Sequence, residues 1–168
     1  MNGQDFLALA KAINLATDAR RPPDDGIESE THQVIPPAVV RGTRGYIEKL
    51  ANQINGCYER GWFDACAVMM RRLLETLIIE CFESHEISSR AKSAGGDYLF
   101  LRDLVAKTLT ESTWTLSRNT KAALPKLKDI GDKSAHSRRY IAYRQDIEAV
   151  QAGFRCSVQE LVFLASLK

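Results

Sequence analysis

The sequence predicts an all-α protein: an antiparallel bundle of four to five core helices with an N-terminal helical extension. Three observations carry that expectation. Apolar residues recur at three- and four-residue steps in one segment after another. Glycine- and proline-marked breaks separate those segments. Strand signals are nearly absent: no Asn-Gly pair joins two alternating apolar runs, and INGC at Ile54–Cys57 interrupts helical spacing instead.

The elements follow in order. Phe6, Leu9, Ala10 and Ile13 give a short amphipathic first helix. It runs into RRPPDDGIESETHQVIPP, a linker whose prolines, acids and Gly26 oppose helix, and whose Asp24, Asp25, Glu28 and Glu30 suit a solvated loop. Residues 1–36 therefore read as an extension and residues 37–168 as the bundle. Tyr46, Ile47, Leu50, Ala51, Ile54, Cys57 and Tyr58 form the apolar stripe of the next helix, which Gly61 should end through a left-handed residue. The helix from about Trp62 to Glu83 carries VMMRRLLETLII; its apolar residues nearly encircle it, so it should lie at the centre. Ser84 to Asp97 reads as a flexible loop with Asp97 as the N-cap of a helix defined by Tyr98, Leu99, Leu101, Leu104, Val105 and Leu109. A further helix begins near Ser117 and runs to about Ser134, with a kink or restart expected at Pro125. The last, about Tyr143 to Leu167, places Ile147, Val150, Phe154, Val158, Leu161, Val162 and Ala165 at core spacing.

The bulk properties narrow the function classes. The 168 residues fit one domain, with 45% hydrophobic and 26% charged residues. A net charge of +2 gives no global field for nucleic acid or acidic membrane, so an electrostatic partner must be met by a local patch. Cys57, Cys66, Cys81 and Cys156 are widely spaced within helical patterns, without a C-x-x-C, which points to small core residues in a reducing cytoplasm rather than to disulfides or a zinc ribbon. The N-terminus lacks the basic start and apolar run of a secretory signal, and no stretch suits a membrane span. A cytoplasmic protein with no membrane partner is expected.

Three constellations could carry chemistry. Arg71, Arg72 and Glu75 in MMRRLLET fall at three- and four-residue spacing on an otherwise apolar helix, where charges must be paired or placed at a cleft. A structural ion pair anchoring a neighbouring helix and a functional cleft weigh about equally. The second is DIGDKSAHSRRY, Asp129–Tyr140. Its His136 offers an imidazole, a group that can pass protons either way or bind phosphate when charged, and Arg118, Lys121, Lys126, Lys128, Lys133, Arg138, Arg139 and Arg144 surround it in sequence. Arginine beside histidine suits a phosphodiester. The plainer reading is that these cations complement a helix C-terminus. Gly131 should let the helix end so that His136 turns toward the site. The third pair, Cys81 and His85, has the spacing of two zinc ligands, but nothing supplies a third and fourth. No Gly-rich phosphate loop, G-x-S-x-G or H-E-x-x-H occurs, and no motif calls for a cofactor or a metal.

A helix bearing RRLLE followed by one ending LKDIGDKSAH resembles the HEPN superfamily (higher eukaryotes and prokaryotes nucleotide-binding). Within it, the pattern is most similar to a bacterial branch of unknown function found alone or fused to restriction-enzyme subunits. The matching positions are Arg71 and Glu75, then Gly131, Asp132, Ala135 and His136, within a stretch of about 37–167. The resemblance implies a bundle that dimerises through the motif helices. Active members are metal-independent ribonucleases of toxin–antitoxin, phage-defence or RNA-processing systems, in which histidine is the acid–base group and arginine steadies the phosphate. This chain departs from them: the places four to six residues before His136, where those members carry arginine, hold Ile130, Gly131 and Asp132.

Two readings stay open. In one, the protein is a homodimerising interaction module in a defence or nucleic-acid setting. Arg71, Glu75, Asp132 and His136 then form a buried polar network, and the extension meets a protein partner. In the other it is an endoribonuclease acting on RNA, with His136, Arg71 and Glu75 at the reacting centre and Arg72, Lys133, Arg138 and Arg139 holding phosphate or a nucleotide.

Overall fold

The computed structural model describes residues 33–168. The predicted first helix and most of the linker lie outside them. The described chain is an all-α antiparallel bundle, as expected. Its helices are α1 (Pro37–Val40), α2 (Gly45–Glu59), α3 (Phe63–Ser84), α4 (Leu101–Thr110), α5 (Arg118–His136) and α6 (Arg144–Leu164), with a 3₁₀ turn at Ser88–Ala91. The one β-type pairing among the described residues is an isolated bridge between Lys92 and Tyr98.

The encircling apolar pattern of α3 is explained by its neighbours: it packs against α2, α4, α5, α6 and the 3₁₀ turn. Met70, Leu73, Leu74, Leu77, Ile78, Cys81 and Phe82 are all fully buried. Phe82 meets the Trp114 ring edge-on at 5.0 Å, which closes the core beneath the segment joining α4 to α5. Gly61 ends α2 at φ 74°, with its N–H bonded to the Tyr58 carbonyl and the Trp62 N–H to the Cys57 carbonyl. These two bonds satisfy carbonyls that the helix end would otherwise leave open. No helix of the described residues is long and apolar enough to cross a membrane.

Several elements differ from expectation. Asp97 caps no helix: α4 starts three residues after Tyr98, with Phe100 at the N-cap position. Asp97 instead accepts the Ser93 N–H through its own carbonyl and closes a tight loop. Helix α5 runs through Pro125 and Gly131 to His136. Pro125 and Lys121 are both exposed, so the carbonyl that loses its partner to the proline can bond to water. The capping of α5 is as its sequence suggests, with Ser117 Oγ accepting the Thr120 N–H at 3.2 Å. Glu160 on α6 reinforces that end, accepting the Ser117 N–H at 2.6 Å and its hydroxyl at 2.8 Å.

The end of the predicted linker belongs to the core. Val34 and Ile35 are fully buried. Asn55 on α2 clasps Ile35 with its whole amide: it accepts the Ile35 N–H at 3.0 Å and donates to the Ile35 carbonyl at 2.8 Å. From α6, Arg155 Nε donates to the Val34 carbonyl at 2.9 Å and Gln151 to that of Gln33 at 2.7 Å. A buried bent segment has no helix to satisfy its backbone, and these side chains serve instead. Cys66 and Cys81 are core residues, their thiols pushed up to about 12, chiefly by burial. Cys156, expected inside, is exposed.

Candidate functional site

The two stretches that stood out in the sequence meet where α3 crosses α5. The crossing is close because Gly131 faces α3: a Cβ there would sit 2.6 Å from the Arg71 Cβ. Gly131 therefore does not end the helix or turn His136; it makes room for the Arg71 stem. Arg71 Nε then donates to Asp132 Oδ1 at 2.8 Å, and its guanidinium reaches Glu75 at 3.7 Å, one turn along α3. Lys128, one turn before Asp132 on α5, approaches the other oxygen, Oδ2, at 3.2 Å and Asp129 at 2.8 Å. Both oxygens of Asp132 are thus engaged by cations.

This geometry sets the charges. Burial alone would push the Asp132 carboxyl up, but hydrogen bonds from Arg71 and Lys128 outweigh it and hold the group below its ordinary range. Hydrogen bonds to Asp129, then Asp132, raise Lys128. Two cations face three carboxylates, Glu75, Asp129 and Asp132. The Nε–H of Arg71 is taken by Asp132 and its Nη1 stands 3.7 Å from Glu75, so a phosphate entering here would meet the remaining guanidinium donors beside three carboxylates.

The other predicted site residues are not brought into this network. His136 lies one turn beyond Asp132 on α5, exposed, and no hydrogen bond or ion pair of the network reaches it. Lys133 is exposed on α5, and Arg138 and Arg139 follow its end, also exposed. Arg72, one residue from Arg71, points 100° away around α3 and faces the α2 side, where it lines a cleft with Tyr46 and Lys49. Two cations of the basic stretch are engaged elsewhere. Lys128 is held by its two aspartates, and Arg144 lies over the Tyr58 and Phe63 rings at 4.8 and 5.6 Å while donating to the Tyr58 hydroxyl at 3.0 Å.

Cys81 and His85 do not converge on a common ligand. The Cys81 thiol donates to the Leu161 carbonyl, and His85 Nδ1 contacts the Cys81 carbonyl at 2.9 Å with its ring against Trp114. Among the described residues no three His, Cys, Asp or Glu side chains are grouped to hold a metal ion.

Lys128 is the member of the network that sequence reasoning left among the general basic residues. Its four-residue spacing from Asp132 was the available signal. No family model, curated protein or solved structure matches the chain.

Proposed function

We propose that the protein is a dimerising, HEPN-like interaction module of a defence or nucleic-acid-related system, whose ribonuclease-type site has become structural. The observation that carries this reading is the Arg71 guanidinium tied through Nε to Asp132 on α5, with Glu75 beside it, where an active site would set it against phosphate rather than carboxylates. The position of His136, outside the network, supports it further. Arg71, Glu75, Lys128 and Asp132 then act as a satisfied polar cluster that fixes how α3 and α5 meet, with Lys128 in the role expected for His136. The partly exposed side of that cluster is the surface offered to the second copy.

Two measurements test this on the full chain: mass by sedimentation, and cleavage of single-stranded RNA in chelator, each for the native protein and His136→Ala. A dimer that cuts no RNA, with the variant unchanged in both, is the expected result. Cleavage that His136→Ala abolishes would establish the endoribonuclease reading instead. A native monomer at tens of micromolar would sink the dimer.

A further inference from the structure

We propose that the cleft between α2 and α3 binds a small phosphomonoester carried on an apolar or aromatic group. It lies on the face of α3 away from Asp132, and Tyr46, Lys49, Leu50, Gln53, Arg72 and Thr76 line it around a volume of about 500 Å³. That size falls in the range of small-molecule sites, about 300–1,000 Å³.

Charge is the first argument. Lys49 and Arg72 are both exposed, and neither forms an ion pair with a described residue. The nearby acids are committed elsewhere. Glu80, nearly buried, takes Arg44 at 3.1 Å and the Tyr46 hydroxyl, and Glu75 turns to Arg71. The cleft is left with two positive charges and no opposing one among its lining residues. Two cations match a dianion better than a carboxylate, and a phosphomonoester carries about −1.5 to −2 near neutral pH. The guanidinium fork of Arg72 suits two phosphate oxygens, and Lys49 supplies a point charge.

Shape is the second. The Tyr46 hydroxyl is tethered to Glu80, so its ring is held as a fixed wall, 45% exposed, with Leu50 beside it. An aromatic or aliphatic body lying on these two would leave its phosphate at the cations. Gln53 offers an amide donor at the rim, and the Thr76 hydroxyl, which donates to the Arg72 carbonyl at 2.9 Å, still has an oxygen to accept with.

Calorimetric titration of the full chain with phenyl phosphate and with inorganic phosphate tests the proposal. Phenyl phosphate should bind, weaken with added salt, and bind more tightly than inorganic phosphate. Lys49→Ala and Arg72→Ala should each weaken it by about tenfold, the usual effect of losing one charge-assisted hydrogen bond. Arg72→Lys should recover part of the loss, and Asp132→Asn, on the other face, should leave binding unchanged. Failure of phenyl phosphate to bind overturns the proposal. So does equal affinity for inorganic phosphate, or indifference to both alanine variants while circular dichroism shows them folded. A phosphotyrosyl peptide binding more than tenfold tighter than phenyl phosphate would assign the cleft to a protein partner and overturn the small-molecule occupant.

Discussion

Replacing Gly131 with alanine separates a local view of this glycine from a tertiary one. In an open helix interior, Gly→Ala stabilises by about 0.8–1.0 kcal/mol through helix propensity. Here the new methyl would lie 2.6 Å from Arg71 Cβ, 3.0 Å from its Cδ and 3.1 Å from its Cγ. Carbon atoms rest at about 3.5–4.0 Å, so the nearest pair must part by about 1 Å. The Arg71 Cβ is fixed to the backbone of α3 and cannot rotate away, so the two helices themselves must separate. Overpacking of this kind costs about 1–3 kcal/mol, which outweighs the propensity gain and leaves a net loss of about 1 kcal/mol. The separation also lengthens the 2.8 Å bond from Arg71 to Asp132. Urea denaturation should register the loss, and the thermal midpoint should fall by about 2–4 °C. Gly45→Ala serves as the control, because a Cβ there meets nothing within 4 Å. It should be neutral or slightly stabilising. A Gly131→Ala protein stabilised by about 1 kcal/mol would refute the close crossing.

Other outcomes follow from the same structure. Asn55→Ala should destabilise by about 2–4 kcal/mol in urea, since it strands both a buried N–H and a buried carbonyl of Ile35. Glu111 should confer acid lability: hydrogen bonding from the Thr113 hydroxyl, then from the Thr113 N–H and Arg90, outweighs burial and lowers its carboxyl from 4.5 to about 2. A depressed carboxyl stabilises fully above its unfolded value, so this contribution fades as pH falls from about 4.5 toward 2, and Glu111→Gln should flatten stability over that window. Under native conditions near neutral pH, a thiol reagent should label Cys156 first and half-buried Cys57 more slowly. Cys66 and Cys81, buried and raised to about 12, should react only on unfolding, as mass spectrometry of labelled peptides would record.

What could be read from the sequence was what the chain encodes within a few residues. The apolar periodicity of α3, the left-handed exit at Gly61 and the serine start of α5 are local and were legible. The Arg71–Glu75 pair was legible too, because four residues on a helix make neighbours. The partnership of Arg71 with Asp132 spans 61 residues and depends on how α5 lies on α3; no local pattern states it, and only the resemblance of the two motif helices pointed to it, with His136 wrongly included. Gly131 misled for the same reason. As a residue type it signals a break, whereas its use here is the missing side chain, a property of the neighbour rather than of its own helix. Asp97 misled in the opposite sense: its type suits a cap, but its backbone was already committed to a tight loop. Val34 and Ile35 sat between turn formers and read as linker, though their burial rests on an amide 20 residues away.

That clasped segment has a practical consequence for engineering the chain. A shortened version beginning at the proline pair, Pro36 and Pro37, would keep every helix of the described residues yet lose two fully buried side chains, leaving an apolar hole between α2 and α6 and exposing the donors of Asn55 and Arg155. A version beginning before Gln33 keeps them filled. Because Asn55, Gln151 and Arg155 grip the backbone itself, anything joined upstream is attached at a fixed point on the bundle wall rather than at the start of the first helix, and its reach should be measured from there.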